Sequence, residues 1–275
     1  MERGDRPVRS LYQAARHCLL SDSLEEKLRL SEATADAWHA GELTLSDWTS
    51  ADGLHEAGRP ENPPLVHPSR LPRRRLGSEK GRLALIHAIA HIEFNAINLA
   101  WDAVQRFPGL PADFYTDWIQ VAREEVHHFR LLRERLRDGG VDYGDFPAHN
   151  GLWDMAMQTA DDPLVRMALV PRMLEARGLD VTPGIMQRFS DIGDEKTVAV
   201  LQVILDEEVG HVSFGTRWFR YLCETRGLEP EHTYFDLLSR FVGDGIRCPL
   251  HRQARRQAGF SEEELRRLES LCEKM

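Results

Sequence analysis

Two short stretches of this chain, Arg123-Glu124-Glu125-Val126-His127-His128 and Asp206-Glu207-Glu208-Val209-Gly210-His211, repeat one pattern, a carboxylate followed three residues later by an imidazole. On a helix, residues three apart share a face about one turn apart, so Glu125 stands beside His128 and Glu208 beside His211. Carboxylate and imidazole together bind divalent metal ions, and a set without thiolate suits iron or manganese. A further glutamate precedes each copy: Glu93 lies 32 positions before Glu125, and Glu175 lies 33 before Glu208. The chain therefore reads glutamate, then Glu-x-x-His, twice. A zinc-peptidase helix needs a histidine directly before the glutamate of its motif. Glu124 and Glu207 stand there instead.

These residues meet only if helices carry them to one level. From Glu93 an apolar-periodic run continues to Phe107, where Pro108 and Gly109 stop it, and a new run starts near Ala112 and reaches Glu125. Glu93 lies 14 residues before the break and Glu125 lies 13 after Ala112. At ~1.5 Å per residue they are ~21 Å and ~20 Å from the same turn, so an antiparallel hairpin brings them together. In the second half Asp191-Ile192-Gly193-Asp194 makes the turn, with Glu175 16 residues before Asp191 and Glu208 14 after Asp194. Gly178, Pro183 and Gly184 interrupt the run after Glu175, which predicts a broken or kinked helix there. Residues 139 to 161, opening with Gly139-Gly140 and carrying Pro147 and Gly151, are long enough to cross the length of a ~40 Å helix.

A four-helix bundle that holds two metal ions takes one glutamate from each of two helices and a Glu-x-x-His pair from each of the other two. The expected ligands are Glu93, Glu125 and His128 for one metal and Glu175, Glu208 and His211 for the other, with Glu125 and Glu208 as bridges. No catalytic residue beyond these ligands is singled out. The chain resembles the ferritin-like superfamily in this pattern. The fold class expected is all-α, a ferritin-like four-helix bundle of two antiparallel helical hairpins with one long crossover, plus N-terminal and C-terminal helical extensions. The run from His87 to Ile97, with Glu175-Ala-Arg-Gly-Leu-Asp180, resembles a bacterial branch known only as a domain of unknown function. That similarity extends from about Leu11 to the Arg226 region and includes the run from Leu71 to Ser78. A more distant similarity is to the di-iron tRNA hydroxylases, which act on a prenylated adenosine.

The resemblance implies a cofactor of two iron ions, with manganese or a mixed iron–manganese pair as alternatives. It implies an O2-dependent oxidoreductase, a hydroxylase or oxidase, with a small-molecule substrate and an electron donor that the sequence does not name. An iron-handling role (ferroxidase or peroxide scavenging) and a metal-binding scaffold with little turnover are the other readings. The segments flanking the bundle argue against assembly of a storage cage, and a homodimer is the oligomer considered. A tRNA partner would use the basic cluster Arg70, Arg73, Arg74 and Arg75. On an acidic chain such a cluster more often meets the protein's own carboxylates.

Several neighbours of the ligands have two readings. Glu124 and Glu207 could accept the free ring N–H of the opposite histidine, or face solvent. Alignment with Gly210 selects His128 over His127 as ligand. His87 and His91 are four apart, but His91 lies roughly 200° round the helix from Glu93, which suits packing better than metal. Arg172 and Arg177 flank Glu175 and could meet an anionic substrate or pair with Glu124 or Glu207. A substrate pocket would be lined from Ile97, Tyr115, Phe129, Met173 or Phe214.

The 275 residues divide into an N-terminal helical and proline-rich extension (1–77), the bundle (78–226) and a helical tail (227–275). Helical patches are expected at Leu11 to Leu20 and Leu24 to Ala40, with Thr44, Ser46 and Asp47 as caps, and no strand-period segment stands out. Ser78 is the expected N-cap of the first bundle helix, Arg226-Gly227 closes the last, and Ser261 with Glu264 forms a capping box for a helix from Glu262 to Lys274. A net charge of −9, with a mean hydropathy of −0.43, no apolar run near the ~20 residues of a membrane span and no signal core, fits a cytoplasmic protein. Cys18, Cys223, Cys248 and Cys272 form no C-x-x-C pair and suggest no disulfide framework.

Overall fold

A computed structural model of the chain describes residues 9–51, 53–71, 76–242 and 246–272. Almost all the regular structure among them is helical, apart from a two-residue parallel pairing of Arg9–Ser10 with Leu43–Thr44 and a single parallel bridge of Leu65 with Ala148. The chain divides into two compact units, Met1–Asn150 and Gly151–Met275. Each unit holds one copy of the repeated motif.

In the first unit α1 (Leu11–Leu20) and α2 (Leu24–His39) form where the apolar spacing places them, each opened by a serine, Ser10 or Ser23, whose hydroxyl accepts the amide three residues on. Thr44, Ser46 and Asp47 cap nothing, because Thr44 belongs to the short strand pairing. The long helices α3 (Glu79–Arg106) and α4 (Ala112–Asp138) pack on each other as an antiparallel hairpin. Ser78 caps α3 by accepting from the Gly81 amide at 3.2 Å. The turn between them uses Gly109 at φ 79°, a conformation open to glycine because it lacks Cβ. Tyr115 Oη ties that turn by donating to the Phe107 carbonyl at 2.9 Å.

The N-terminal helices are fastened directly to the hairpin. Trp101 of α3 donates to Ser31 Oγ of α2 at 2.8 Å, and Trp38 of α2 donates to Thr116 Oγ1 of α4 at 3.0 Å. Lys27, wholly buried, donates to the Cys18 and Leu19 carbonyls at the end of α1. Burial lowers its ammonium to about 7.

In the second unit α5 (Gly151–Gln158) makes part of the expected crossover helical. It is followed by α6 (Pro163–Leu169), a π-helical segment Val170–Glu175, and α7 (Ala176–Ser190). The expected break after Glu175 is thus corrected. The irregularity lies before Glu175, and α7 runs through Gly178, Pro183 and Gly184. Pro171 accounts for this locally, since it has no N–H to give the Met167 carbonyl and its ring crowds that carbonyl. After the Asp191 to Asp194 turn, α8 (Glu195–Thr225) starts with Asp194 accepting from the Thr197 amide. The tail supplies α9 (Pro230–Phe241), α10 (Arg252–Gln257) and α11 (Glu262–Cys272), and Lys274 lies outside the described residues. The capping box forms with Ser261 N donating to Glu264 Oε2 at 2.8 Å and Glu264 N to Ser261 Oγ at 3.0 Å.

Two composition-based expectations need correction. Cys248 and Cys272 form a disulfide, with Cα atoms 5.8 Å apart and 24 positions between them in sequence, a pairing that no local spacing foretells. Among the described residues one helix, α3, is long and apolar enough to cross a membrane by length and composition, but 78% of its apolar stretch is buried within the protein. Of the basic cluster, Arg73, Arg74 and Arg75 lie outside the described residues, and Arg70 sits in an exposed 3-10 turn.

Candidate metal centre

The hairpin of α3 and α4 brings the first glutamate to the first Glu-x-x-His. His128 Nδ1 lies 3.4 Å from Glu93 Oε2 and 3.5 Å from Glu125 Oε2. One ligand atom from each of these three residues falls within 4.8 Å of the others. Small side-chain rotations would draw such atoms onto one ion with bonds of about 2.0–2.2 Å. All three are buried, Glu93 at 4% exposure and Glu125 and His128 at 0%. His127 is exposed, so the helix phase selects His128 as the alignment does.

Two carboxylates in an apolar interior are electrostatically costly without a compensating positive charge. Burial, and next the negative charge of Glu125, push the Glu93 carboxyl up to about 8, and His128 opposes the shift. Glu93 Oε2 is sealed from solvent and accepts no hydrogen bond among the described residues. Donor types, spacing and burial all fit a divalent cation.

In the second unit α8 sets Glu208 beside His211, with His211 Nδ1 3.5 Å from Glu208 Oε1. His211 is fully buried and the Glu208 side chain 12% exposed. Glu175 closes the π-helical segment, which packs on α8, and its Oε2 is shielded from solvent. The close approach depends on Gly215, one turn after His211. A Cβ there would lie 2.4 Å from Pro171 Cβ and Cγ. In both motif copies Nδ1 is the imidazole nitrogen turned toward the carboxylates.

The flanking residues divide as follows. Glu124 accepts from Gln120 Nε2 at 2.6 Å. His87 and His91 belong to a packed aromatic and polar group: Gly144 N donates to His87 Nε2 at 2.9 Å, and His91 Nδ1 meets Tyr143 Oη at 2.8 Å. Burial lowers His91 to about 4. Arg172 pairs with Glu264 at 2.6 Å, and Arg177 donates to the Arg247 carbonyl at 3.0 Å and lies 3.7 Å from Asp180. Their partners are therefore tail residues and Asp180, correcting the expected pairing with Glu124 or Glu207. Three of the side chains expected to line a substrate pocket are interior. Ile97, Tyr115 and Phe129 are fully buried core, and Tyr115 is held by Phe107 and by Tyr12 Oη at 3.1 Å. A groove of about 590 Å³ lies in the second unit, bordered by Pro183, Met186, Val198, Leu205, Val209 and His251. Of the two supports Arg172 and Gly215, the sequence singled out the first as a pairing residue, though not its partner Glu264, and missed the second. An arginine inside the apolar run Val170-Pro-Arg-Met-Leu was the available signal for the first.

Comparison with known proteins adds family but not activity. A family model described as a protein of unknown function (DUF455) matches residues 20–266. An uncharacterized protein of Haemophilus influenzae is 46% identical over 216 residues, covering 76% of this chain and 75% of that relative. No solved structure matches the chain. With most of its length matched by the family model, the chain belongs to the DUF455 family.

Proposed function

We propose that this chain is a ferritin-like di-metal carboxylate protein, with residues 78–226 as a four-helix bundle and two iron ions as cofactor. Glu93, Glu125 and His128 would hold one ion and Glu175, Glu208 and His211 the other, Glu125 and Glu208 bridging. The observation that carries this reading is the buried trio Glu93, Glu125 and His128, whose ligand atoms converge within 4.8 Å of one another. The near-equal spacing of the two motif copies, 32 and 33 positions, extends it to the second set. A reduced iron pair supplies O2-dependent oxidation, and the activity we assign is hydroxylation or oxidation of a small molecule. The protein's part is to release the proton held by Glu93 as the cation arrives, to turn each imidazole Nδ1 inward, and to keep bulk water out. Phe94, Val126 and Phe129, beside the ligands in sequence, are all buried and supply that dry surround.

Anaerobic loading with ferrous iron, followed by oxygen admission with optical and Mössbauer spectroscopy, tests the reading. Two irons per chain that oxidise together are expected. A stoichiometry well below two, or spectra of isolated mononuclear iron, would sink it. Catalytic accumulation of ferric mineral with no substrate oxidised would instead favour iron handling. Glu125→Ala and Glu208→Ala should each lose metal and remain helical by circular dichroism.

A further inference from the structure

The π-helical segment ends on Glu175, and a residue in its middle is held from outside by the C-terminal tail. Arg172 is completely buried. Its Nη2 donates to Glu264 Oε1 of α11 at 2.6 Å, and its Nε donates to Thr216 Oγ1 of α8 at 3.2 Å. The guanidinium carbon lies 4.9, 4.2 and 4.6 Å from the ring centres of Phe219, Tyr234 and Phe260. The Arg172 backbone is held too, its carbonyl accepting from Tyr234 Oη of α9 at 3.0 Å. Such cation–π and charge-assisted contacts strengthen when desolvated, as here.

A π turn is rare, and where one occurs it marks a place where the surroundings hold an extra residue in the ladder. Relaxation to α geometry shifts the register by one residue, which turns everything beyond it by roughly 100° and moves it about 1.5 Å. Glu175 is three residues beyond Arg172. A slip of that size would turn its carboxylate off the face it now occupies.

We infer that the tail is a clamp that fixes the π turn, and that Arg172 is the positioning residue through which α9 and α11 set Glu175. The link to Glu175 as ligand rests on the di-metal reading; the clamp on the turn does not. Glu264 joins the two jobs, one oxygen closing the capping box of α11 and the other holding Arg172. This gives a role to a tail that contributes no metal ligand.

Glu264→Gln is the informative variant, because glutamine also serves at the third position of a capping box and α11 should persist. Arg172→Met removes the charge, and Arg172→Lys restores charge without the planar fork. The full-length protein is examined twice. Without metal, hydrogen exchange should rise several-fold in a peptide covering residues 170–176 and stay unchanged in α3 and α4. With cobalt(II) as probe, the first ion should bind as in wild type, and the second about 10- to 100-fold more weakly with an altered visible spectrum. Arg172→Lys should recover part of that loss. Unchanged exchange at 170–176 in both Glu264→Gln and Arg172→Met would overturn the clamp. Raised exchange with two cobalt ions bound as in wild type would overturn the link to Glu175. A wild-type protein that takes no cobalt would refute the di-metal reading and that link, while the exchange result would still decide the clamp.

Discussion

Replacing Glu93 with glutamine should uncouple stability from pH in the metal-free protein. The Glu93 carboxyl is raised from 4.5 to about 8, first by burial and then by the charge of Glu125. Between those values the folded chain holds a proton that the unfolded chain has released. The associated stability is therefore fully present below pH 4.5 and is lost as pH rises through about 8. Crossing the whole interval removes roughly 5 kcal/mol, and about 3 kcal/mol of this is gone by pH 7. An amide imitates the protonated acid in shape and charge but cannot ionise. Glu93→Gln without metal should thus show a stability that falls less between pH 5 and pH 9 than that of wild type. Urea unfolding in the presence of a chelator, repeated across that range, measures the difference. Calorimetry in buffers of different ionisation enthalpy should also find close to one proton released from Glu93 when wild type takes up its first divalent ion at pH 7, and none from this position in the variant. Identical pH slopes for the two proteins would refute the reasoning that burial and Glu125 keep a proton on Glu93.

Gly215→Ala should drive a methyl into Pro171, 2.4 Å from two ring carbons, and cost about 1–3 kcal/mol, read as a lowered Tm; an unchanged Tm would mean that α8 and the π segment part easily. Arg106→Met removes a guanidinium that makes three hydrogen bonds of 2.8 to 3.0 Å to the fully buried Asp102, and chemical denaturation should show a loss of about 3–5 kcal/mol. Reducing Cys248–Cys272, or replacing both with serine, should lower stability by about 3 kcal/mol through the freed 24-residue separation. Differential scanning calorimetry with and without reductant checks that outcome.

Much of the first half-site was legible because it depends on short-range rules. Helix period places Glu125 beside His128, and Pro108-Gly109 marks a turn that structure puts between Arg106 and Ala112, so Glu93 and Glu125 reach one level. Ser78 and Ser261 cap their helices because capping needs only residues three apart. The π turn before Glu175 was not legible, and Gly178, Pro183 and Gly184 do not break α7, because such local signals are weaker than packing. Pro171 opens the ladder locally, but Tyr234 and Glu264, far along the chain, meet Arg172 within it. Large apolar side chains also read alike whether they line a cavity or fill a core, and only the tertiary contacts show that Tyr12 and Phe107 take up the Tyr115 hydroxyl.

By itself the sequence determined the candidate ligand types, their helical phase and the level that Glu93 shares with Glu125 and His128, since these follow from residue chemistry and a rise of ~1.5 Å per residue. Only the tertiary structure decided that the Glu93 carboxylate is buried deeply enough to keep a proton, that Cys248 finds Cys272, and that a distant tail grips the turn carrying Glu175. Burial, cross-linking and support from outside a helix are contacts between residues remote in sequence, and periodicity carries no record of them.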